Sequence, residues 1–415
     1  LFRSGTDALA GVINIITKKG DGYSEENTWR VGARVQEESM GKEYDFFKDK
    51  GLHNESIDLG FNHKSGLFVN GGYTRNNHGG WQGDLTGREK RWHPKDQALM
   101  NGMFGFQNRN MNVWYRLDFL DEKIFGPNNG SELQPEKVSD KDFLTKRYTH
   151  QLQSDWKLDN RLDVHAALSY QDYKRRTRTT ESDLSTGEKW LSSAEASQDI
   201  TQYKAWIARA TVAWNIAPEF SVQPGVEYQW TQGEGGRIDG TPKVSDLAFF
   251  LSAEYKPWEW LSLRPGVRTF IVADYDAPIA IPSVLTKFKL TKHMDLRLSY
   301  AYGFRSPTLQ ELYFSFHNDN HDIDGNPDLK AEYSHNITGS VAYRVLHSEK
   351  IHLTTTLSGF YNDFRDKISL AQNVDIPNYN TYYNIDRYKT VGGSLENSLS
   401  WGGLRANLNV SLIGQ

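Results

Sequence analysis

Strand-like segments in this chain are joined alternately by short turns and by long polar stretches, in strict order along the sequence. The short turns are predicted at 63–66, 107–110, 158–161, 215–219, 256–259, 290–293, 346–350 and 402–403. The long polar stretches are 37–52, 76–97, 119–145, 174–199, 231–243, 272–280, 305–333 and 364–380. Short turns on one side and long loops on the other are typical of up-and-down transmembrane barrels. The pattern therefore predicts an all-β, antiparallel transmembrane β-barrel.

Alternation within the segments supports this fold class. Between 294 and 302, the apolar side chains of Met294, Leu296 and Leu298 alternate with those of Asp295 and Arg297. A period of two places the two sets on opposite faces of a sheet. Charged residues on the second face suit a wet lumen better than the dry core of a β-sandwich.

Composition excludes several other classes of protein. Only 38% of the residues are hydrophobic, the mean hydropathy is -0.66, and no run of eighteen apolar residues exists, which excludes a helical membrane protein. A barrel has a low mean hydropathy because its lumen-facing residues are polar. The chain has 0 cysteines, which excludes a disulfide framework, and its net charge of -4 gives no support for nucleic-acid binding.

The number of strands sets an expectation about the whole barrel. About seventeen strands are predicted, most of them near the ten residues that a tilted strand needs to cross a membrane. Barrels that are filled by a plug have about 22 strands. We therefore expect about five more strands after Gln415, and we interpret the chain as a fragment of a longer protein.

Tryptophans cluster beside the predicted short turns. Five of them lie there: Trp156, Trp214, Trp258, Trp260 and Trp401. Aromatic residues gather at the two membrane–water interfaces of a barrel. The clustering predicts an aromatic girdle on the periplasmic side, although tryptophan is also simply common in β-strands.

The first twenty residues carry a specific motif. Gly5 and Asp7 precede the run 11–19, which begins at Gly11, includes Asn14 and ends in two lysines. This segment resembles the end of the plug domain of TonB-dependent outer-membrane receptors, which then enters the barrel. The resemblance implies that residues 1–20 are the C-terminal end of a plug, and that residues 21–415 belong to a transmembrane barrel.

A second pair of motifs lies between 304 and 332. Phe-Arg-Ser-Pro is followed by Glu-Leu-Tyr and later by Asn-Pro-Asp-Leu-Lys-Ala-Glu, which resembles the paired boxes of the same family. The matching residues are Phe304, Arg305, Pro307, Glu311, Leu312, Tyr313, Asn326, Pro327, Leu329 and Glu332. Ser306 and Ala331 replace residues that are more usual in these boxes.

The resemblance implies a function. Receptors of this family bind a scarce nutrient with their external loops and import it into the periplasm, using work supplied by TonB of the TonB–ExbB–ExbD complex. Outer-membrane lipid and a surface lipoprotein are further candidate partners. A passive porin is the alternative of a different class, but the plug-like residues 1–19 contradict it. No Gly-x-Ser-x-Gly or His-Glu-x-x-His motif indicates an enzyme.

The ligand is predicted less sharply. Haem receptors of the family carry a histidine between the two boxes, and His317 and His321 occupy that interval. Imidazole is a good ligand for iron. Haem or another iron complex, such as an iron-siderophore, is therefore the first expectation. Cobalamin is the alternative because its receptors share the boxes, and loop histidines are often only solvated.

Other loop residues are weaker candidates. His78, Trp81, Trp92 and His93 lie in the second predicted loop and could close over a flat ligand, although such loops are usually only solvated. No intrinsic cofactor or metal site is predicted.

Two charged stretches complete the set of candidates. Oxygen ligands at Asp319, Asp322, Asp324 and Asn326 offer a weak calcium site. The basic run 174–178 could contact anionic lipid headgroups or an anionic ligand, but a solvated charge run is the plainer interpretation.

Overall fold

The computed structural model describes residues 26–47, 50–194, 196–272, 278–318, 321–348, 350–373, 376 and 379–415. These residues form one sheet of 20 strands with a single short helix. In the part of the chain that is described, no helix is long and apolar enough to cross a membrane.

Seventeen of the strands are long. The first ten of all 20 strands are β1 (Thr28–Glu38), β2 (Leu52–Asn62), β3 (Leu67–His78), β4 (Lys95–Gln107), β5 (Met111–Gly126), β6 (Lys137–Lys157), β7 (Leu162–Asp183), β8 (Lys189–Leu191), β9 (Ile200–Ala217) and β10 (Phe220–Gly235). The elements that follow are β11 (Lys243–Trp258), β12 (Leu261–Val272), β13 (Ile281–Lys289), β14 (Met294–Arg305), α1 (Leu309–Tyr313), β15 (Ser315–Asn318), β16 (His321–Asp324), β17 (Glu332–His347), β18 (Ile351–Gln372), β19 (Tyr379–Trp401) and β20 (Leu404–Gly414). Only β8, β15 and β16 are shorter than nine residues.

Each long strand pairs antiparallel with the next long strand along the chain, as in an up-and-down barrel. The same order continues through β9 to β20, with β14 pairing directly with β17. The predicted fold class is confirmed, and every predicted short turn separates two long strands. The expectation of further strands after Gln415, and the assignment of residues 1–20 to a plug, stay predictions.

Strand length differs from the prediction. β6, β7, β18 and β19 contain 21, 22, 22 and 23 residues, about twice the length that crosses a membrane. Large parts of the predicted loops 119–145, 174–199 and 364–380 are therefore strand. Polar residues beyond the membrane can stay in the sheet because cross-strand backbone hydrogen bonds do not depend on side-chain hydropathy.

The two faces of the sheet differ as the alternation predicts. One face carries exposed apolar side chains and is named the lipid face; the other carries mostly polar side chains and is named the inner face. The five tryptophans of the predicted girdle lie at the ends of strands beside short turns and are 43–58% exposed. Their position and exposure agree with an interfacial belt.

A second group of aromatic side chains lies farther along the same face, toward the long loops. Phe119 packs on Tyr148 with ring centroids 4.7 Å apart, and Tyr170 packs on Trp206 at 4.4 Å. We name these four residues the outer aromatic row. Together with the tryptophans beside the turns, the row delimits an apolar band on strands β5 to β9, as expected for a membrane-spanning sheet.

Candidate functional site

The family-like boxes enclose one external loop, residues 306–331, which we name the seventh loop. It begins after β14 and ends at β17, which are neighbours in the sheet. It contains α1, β15 and β16. Because its two ends are paired strands, the loop is held at the outer rim of the barrel.

The helix α1 begins with a capping box. The Thr308 hydroxyl accepts the backbone N–H of Glu311 at 3.2 Å, and the Glu311 carboxylate accepts the backbone N–H of Thr308 at 2.7 Å. This exchange satisfies two amide groups that a helix start leaves without partners. The sequence analysis missed the helix, although Thr308 followed three residues later by Glu311 is the pattern that would have indicated it.

Arg305 joins both boxes through one guanidinium group. Its Nη1 and Nη2 atoms donate to Glu311 at 2.9 and 3.0 Å, and its Nε and Nη2 atoms donate to Glu332 at 2.9 and 2.8 Å. Glu332 also accepts the backbone N–H of Ile368 at 2.6 Å. Planar two-point contacts of this kind require arginine. The clamp of Arg305, Glu311 and Glu332 therefore ties the helix to β14, β17 and β18.

The clamp lowers the pKa of Glu311. Burial by itself would raise that pKa, but the hydrogen bonds from Arg305 and from the Thr308 backbone outweigh burial and hold the pKa below the usual 4.5. Glu311 is therefore charged at neutral pH, as its ion pair requires.

Apolar side chains complete the attachment of the seventh loop. Leu309 and Leu312 of the helix and Leu329 of the second box are buried against Val244 of β11 and Ile368 of β18. Tyr203, Tyr313 and Tyr382 pack around this cluster. The cluster holds the loop against four different strands of the sheet, β9, β11, β18 and β19.

The second box shapes the return of the chain. The Asn326 side chain donates to the Tyr382 carbonyl at 2.9 Å and accepts the Asp328 backbone N–H at 2.9 Å. The Asn326 backbone N–H donates to the carbonyl of Glu311 at 2.8 Å. Asn326 therefore links the second box to the helix and to β19, and Pro327 follows in the turn. These box residues hold the loop in place instead of presenting groups to a ligand.

The two candidate histidines lie on the short hairpin of this loop. His317 is in β15 and pairs with Asp322, whereas His321 begins β16 and pairs with Asn318. The hairpin is seated on both sides: β16 pairs in parallel with β19, and the Arg237 guanidinium lies 4.1 Å over the ring of Phe316. The structure thus places both histidine backbones on an attached part of the rim.

The second candidate group forms a smaller loop, residues 79–94, which we name the second loop. Trp81 and Trp92 exchange backbone hydrogen bonds at 2.9 and 3.1 Å, and their rings meet edge to face at 5.4 Å. The ring of His78 lies 6.0 Å from that of Trp92, which is 52% exposed. His93 is also exposed, near Gly126. The structure brings His78, Trp81 and Trp92 together, whereas the side chain of His93 lies beside β5.

His78 is less available for a metal than its position suggests. Its Nδ1 atom accepts the backbone N–H of Gly80 at 3.0 Å, so the lone pair of that nitrogen is already in use. Burial and the nearby Lys95 lower the pKa of His78, which keeps the ring neutral. Binding through His78 would require this hydrogen bond to break or the ring to change tautomer.

Two further predictions have different outcomes. The plug-like residues Gly5, Asp7, Gly11 and Asn14 lie outside the described residues. The weak calcium prediction gains no support, because Asp324 accepts the Tyr379 hydroxyl and Asn326 is engaged as above. Among the described residues, no group of three His, Cys, Asp or Glu is arranged to hold a metal ion.

The inner face holds a charged cluster that the sequence analysis did not single out. Glu227 of β10 is 1% exposed and receives hydrogen bonds from Arg209 of β9 and from Arg268 of β12, the latter at 2.5 Å. The Arg268 guanidinium also lies over the rings of Phe270 and Phe250. Only the alternation of Glu227 with apolar neighbours hinted that it faces inward. The rest of the inner face includes a cavity of about 520 Å³ lined by Ser299, Thr338 and Phe360, among others.

Comparison with known proteins agrees with this architecture. The family described as TonB dependent receptor-like, beta-barrel, matches residues 223–413. The hemoglobin and hemoglobin-haptoglobin-binding protein C of Haemophilus influenzae is 38% identical over 82 residues, which cover 20% of this chain and 7% of that relative. The hemoglobin-binding protein A of the same species is 31% identical over 118 residues, 26% of this chain and 11% of the relative. The matched segments thus span a small part of the relatives' length.

Solved structures share the fold at low sequence identity. The siderophore receptor PirA from Acinetobacter baumannii has a TM-score of 0.70 and 13% identity, covering 96% of this chain and 63% of that one. The hemophore receptor HasR of Serratia marcescens, solved with its hemophore HasA and heme, has a TM-score of 0.67 and 13% identity, covering 94% of this chain and 63% of that one.

The family match, the haemoglobin-binding relatives and the shared fold all indicate the same class of outer-membrane protein. The matched relatives are described as receptors and binding proteins, and a passive porin is not supported. The box residues of the seventh loop make the contacts that attach this loop to the sheet. Residues 223–413 match the TonB-dependent receptor beta-barrel family, and the rest of the described chain shares the fold of such receptors.

Proposed function

We propose that this protein binds haem, or another iron complex, at its outer rim and imports it into the periplasm with work delivered by TonB. The observation that carries the proposal is the attached hairpin of the seventh loop, on which His317 and His321 lie. The relatives named for haemoglobin binding support haem as the first ligand to test.

The seventh loop favours ligand capture because its hairpin is held in place before any ligand arrives. The Arg305 clamp, the leucine cluster and the parallel pairing with β19 all act on this loop. A prearranged ligand loses less conformational entropy on binding than a mobile one. An iron-coordinating imidazole on such a hairpin would therefore bind haem more tightly than the same imidazole on a free loop.

Transport requires more than the rim. A barrel of this size would leak if open, so a plug must close it, and the outer membrane has no ATP. The plug-like residues 1–20 and the polar inner face support a route through the lumen that is opened by TonB acting on an N-terminal segment. Residues that bind the ligand and residues that couple energy are then separate parts of the protein.

Ligand binding is tested by titrating the full-length protein with haem and, separately, with cyanocobalamin. We expect a shifted Soret band with haem, and its loss when His317 and His321 are both replaced by Ala. The matched control replaces His63 and His352, which lie at or beside short turns at the opposite end of the strands. Cobalamin binding without any haem response would favour the alternative, a vitamin receptor, and would leave both histidines as solvated loop residues.

Energy coupling is tested by deleting the segment of the full-length protein that precedes the plug. Uptake by cells should stop, while binding to the same cells should persist. Uptake that survives the deletion would contradict the proposal that TonB supplies the work for import. An open conductance in planar bilayers would instead indicate a passive porin, the alternative that the family match does not support.

A further inference from the structure

The basic run 174–178 is divided between the two faces of β7. Cross-strand pairing places Lys174 opposite Lys146, and Arg176 opposite Leu144, on the face that also carries Tyr148 and Tyr170. Arg175 belongs to the inner face, where its guanidinium lies 4.5 Å over the ring of Phe143. The run therefore provides three cations to the lipid face, and Arg178 among them is paired with Asp142.

The position of these cations along the membrane normal follows from the strand register. Along β7, Lys174 follows Tyr170 of the outer aromatic row; along β6 and β9, Lys146 and Lys204 lie just beyond Tyr148 and Trp206. At about 3.3 Å per residue and a tilt near 40°, Lys174 lies roughly 10 Å above Tyr170. That is the level of lipid headgroups, immediately outside the apolar band.

The protein neutralises the cations Lys146, Lys174 and Arg176 only in part. Lys146 and Lys174 are directly opposite each other, an arrangement of like charges that destabilises a sheet. Lys146 has one partner, Asp121 at 3.8 Å, and both of these side chains are more than half exposed. Asp142 is already shared by Arg178 and Lys123, and Asp172 accepts from Gln202. Among the described residues, Lys174 and Arg176 have no ion pair, and both are exposed.

We propose that Lys146, Lys174 and Arg176 form a binding site for the phosphate groups of an outer-leaflet glycolipid of the lipid A type. The three side chains extend across two strands, which fits a headgroup with two phosphates better than a single phosphate. The aromatic side chains of Tyr148 and Tyr170 lie below them, where the acyl chains of the same lipid would pack. The bound phosphates would remove the repulsion between Lys146 and Lys174.

The experiment uses the full-length protein, stripped of lipid in detergent, and mixed vesicles of phosphatidylcholine and lipid A. Lys174 and Arg176 are both replaced by Ala, and the matched control is Arg175→Ala, which removes a positive charge from the same run on the other face. Because each basic side chain near an anionic lipid surface contributes roughly a five-fold factor, the double variant should bind lipid A roughly 30-fold more weakly. The control should bind as the unchanged protein does.

Three results would overturn the proposal. An equal loss in Arg175→Ala would show that net charge, and not this site, attracts the lipid. Equally tight binding to vesicles of phosphatidylglycerol would show that any anionic lipid suffices. Calorimetric binding of inorganic phosphate with similar affinity would assign the site to free phosphate. Circular dichroism of the variants checks that the sheet is intact, which the exposure of both side chains predicts.

Discussion

The seventh and second loops lie at the same rim but are attached to the barrel by different means. The seventh loop is held by a largely buried guanidinium between two carboxylates and by a cluster of buried leucines. The second loop is held by a backbone bridge between two tryptophans and by the more exposed ion pair of Arg88 with Asp140. Buried attachments make a loop rigid, whereas exposed ones let it open at little cost in free energy.

This difference shows what the family-like boxes do in this chain. Arg305, Glu311, Asn326 and Glu332 all make internal contacts, so the boxes build the support on which the hairpin with His317 and His321 lies. In the second loop the aromatic side chain of Trp92 is exposed and its support is weak. We therefore expect the seventh loop to act as a fixed platform and the second loop to move.

The largest effect is expected from Arg305→Ala. The change leaves two carboxylates without their cation, and breaking a buried pair in this way costs about 3–5 kcal/mol. Amide hydrogen exchange in residues 309–331 should accelerate strongly, and haem affinity should fall with it. Arg88→Ala removes a comparable arginine from the second loop and is the matched control. Unchanged exchange in the seventh loop would mean that the clamp does not hold it.

The next effect in size is expected from Leu312→Ala, which leaves a cavity in the leucine cluster. Replacing a buried leucine by alanine costs about 2–5 kcal/mol, and part of this should be local to the seventh loop. Hydrogen exchange of helix α1 measures it. Leu133→Ala is the control, because Leu133 is 94% exposed in the third external loop and should change nothing. Equal effects of the two changes would contradict a packed cluster.

The attachment of the seventh loop should also depend on pH through Glu311. Its pKa is lowered in the folded loop, so its contribution to stability is complete above the ordinary pKa of 4.5 and is lost as the pH falls through the lowered value. Exchange of residues 309–331 should therefore accelerate below about pH 4.5. Glu311→Gln should reduce this dependence. If the Glu311→Gln variant shows the same acceleration at low pH, carboxylates other than Glu311 cause it.

The smallest effect is expected from Arg88→Ala in the second loop. The Arg88 side chain is 34% exposed, against 17% for Arg305, and exposed ion pairs contribute about 0–1 kcal/mol. Exchange of residues 79–94 should rise slightly, while the seventh loop stays protected. High salt should produce a similar change in the unchanged protein. If Arg88→Ala accelerates exchange in the second loop as much as Arg305→Ala does in the seventh loop, the two loops do not differ in how firmly they are attached.

Sequence reasoning predicted the connectivity better than the extent of the strands. The eight short turns could be found because turn residues and period-two alternation are local signals; the Gly402–Gly403 turn, with Gly402 at a positive φ of 56°, is an example. The ends of β6, β7, β18 and β19 could not be found, because polar residues beyond the membrane pair through their backbones whatever their side chains are. The Glu227 cluster was missed because its arginines come from other strands.

The sequence by itself determined the fold class and the alternation of turns and loops, and it predicted the girdle and the resemblance to TonB-dependent receptors, because each depends on neighbouring residues or on a motif. Only the tertiary structure decided what the motif residues do. Arg305 and Glu332 are 27 residues apart in the chain, and Lys146 and Lys174 are 28 apart; antiparallel register brings each pair together. Register is a property of paired strands, because the facing strand decides which residue lies opposite each charged side chain.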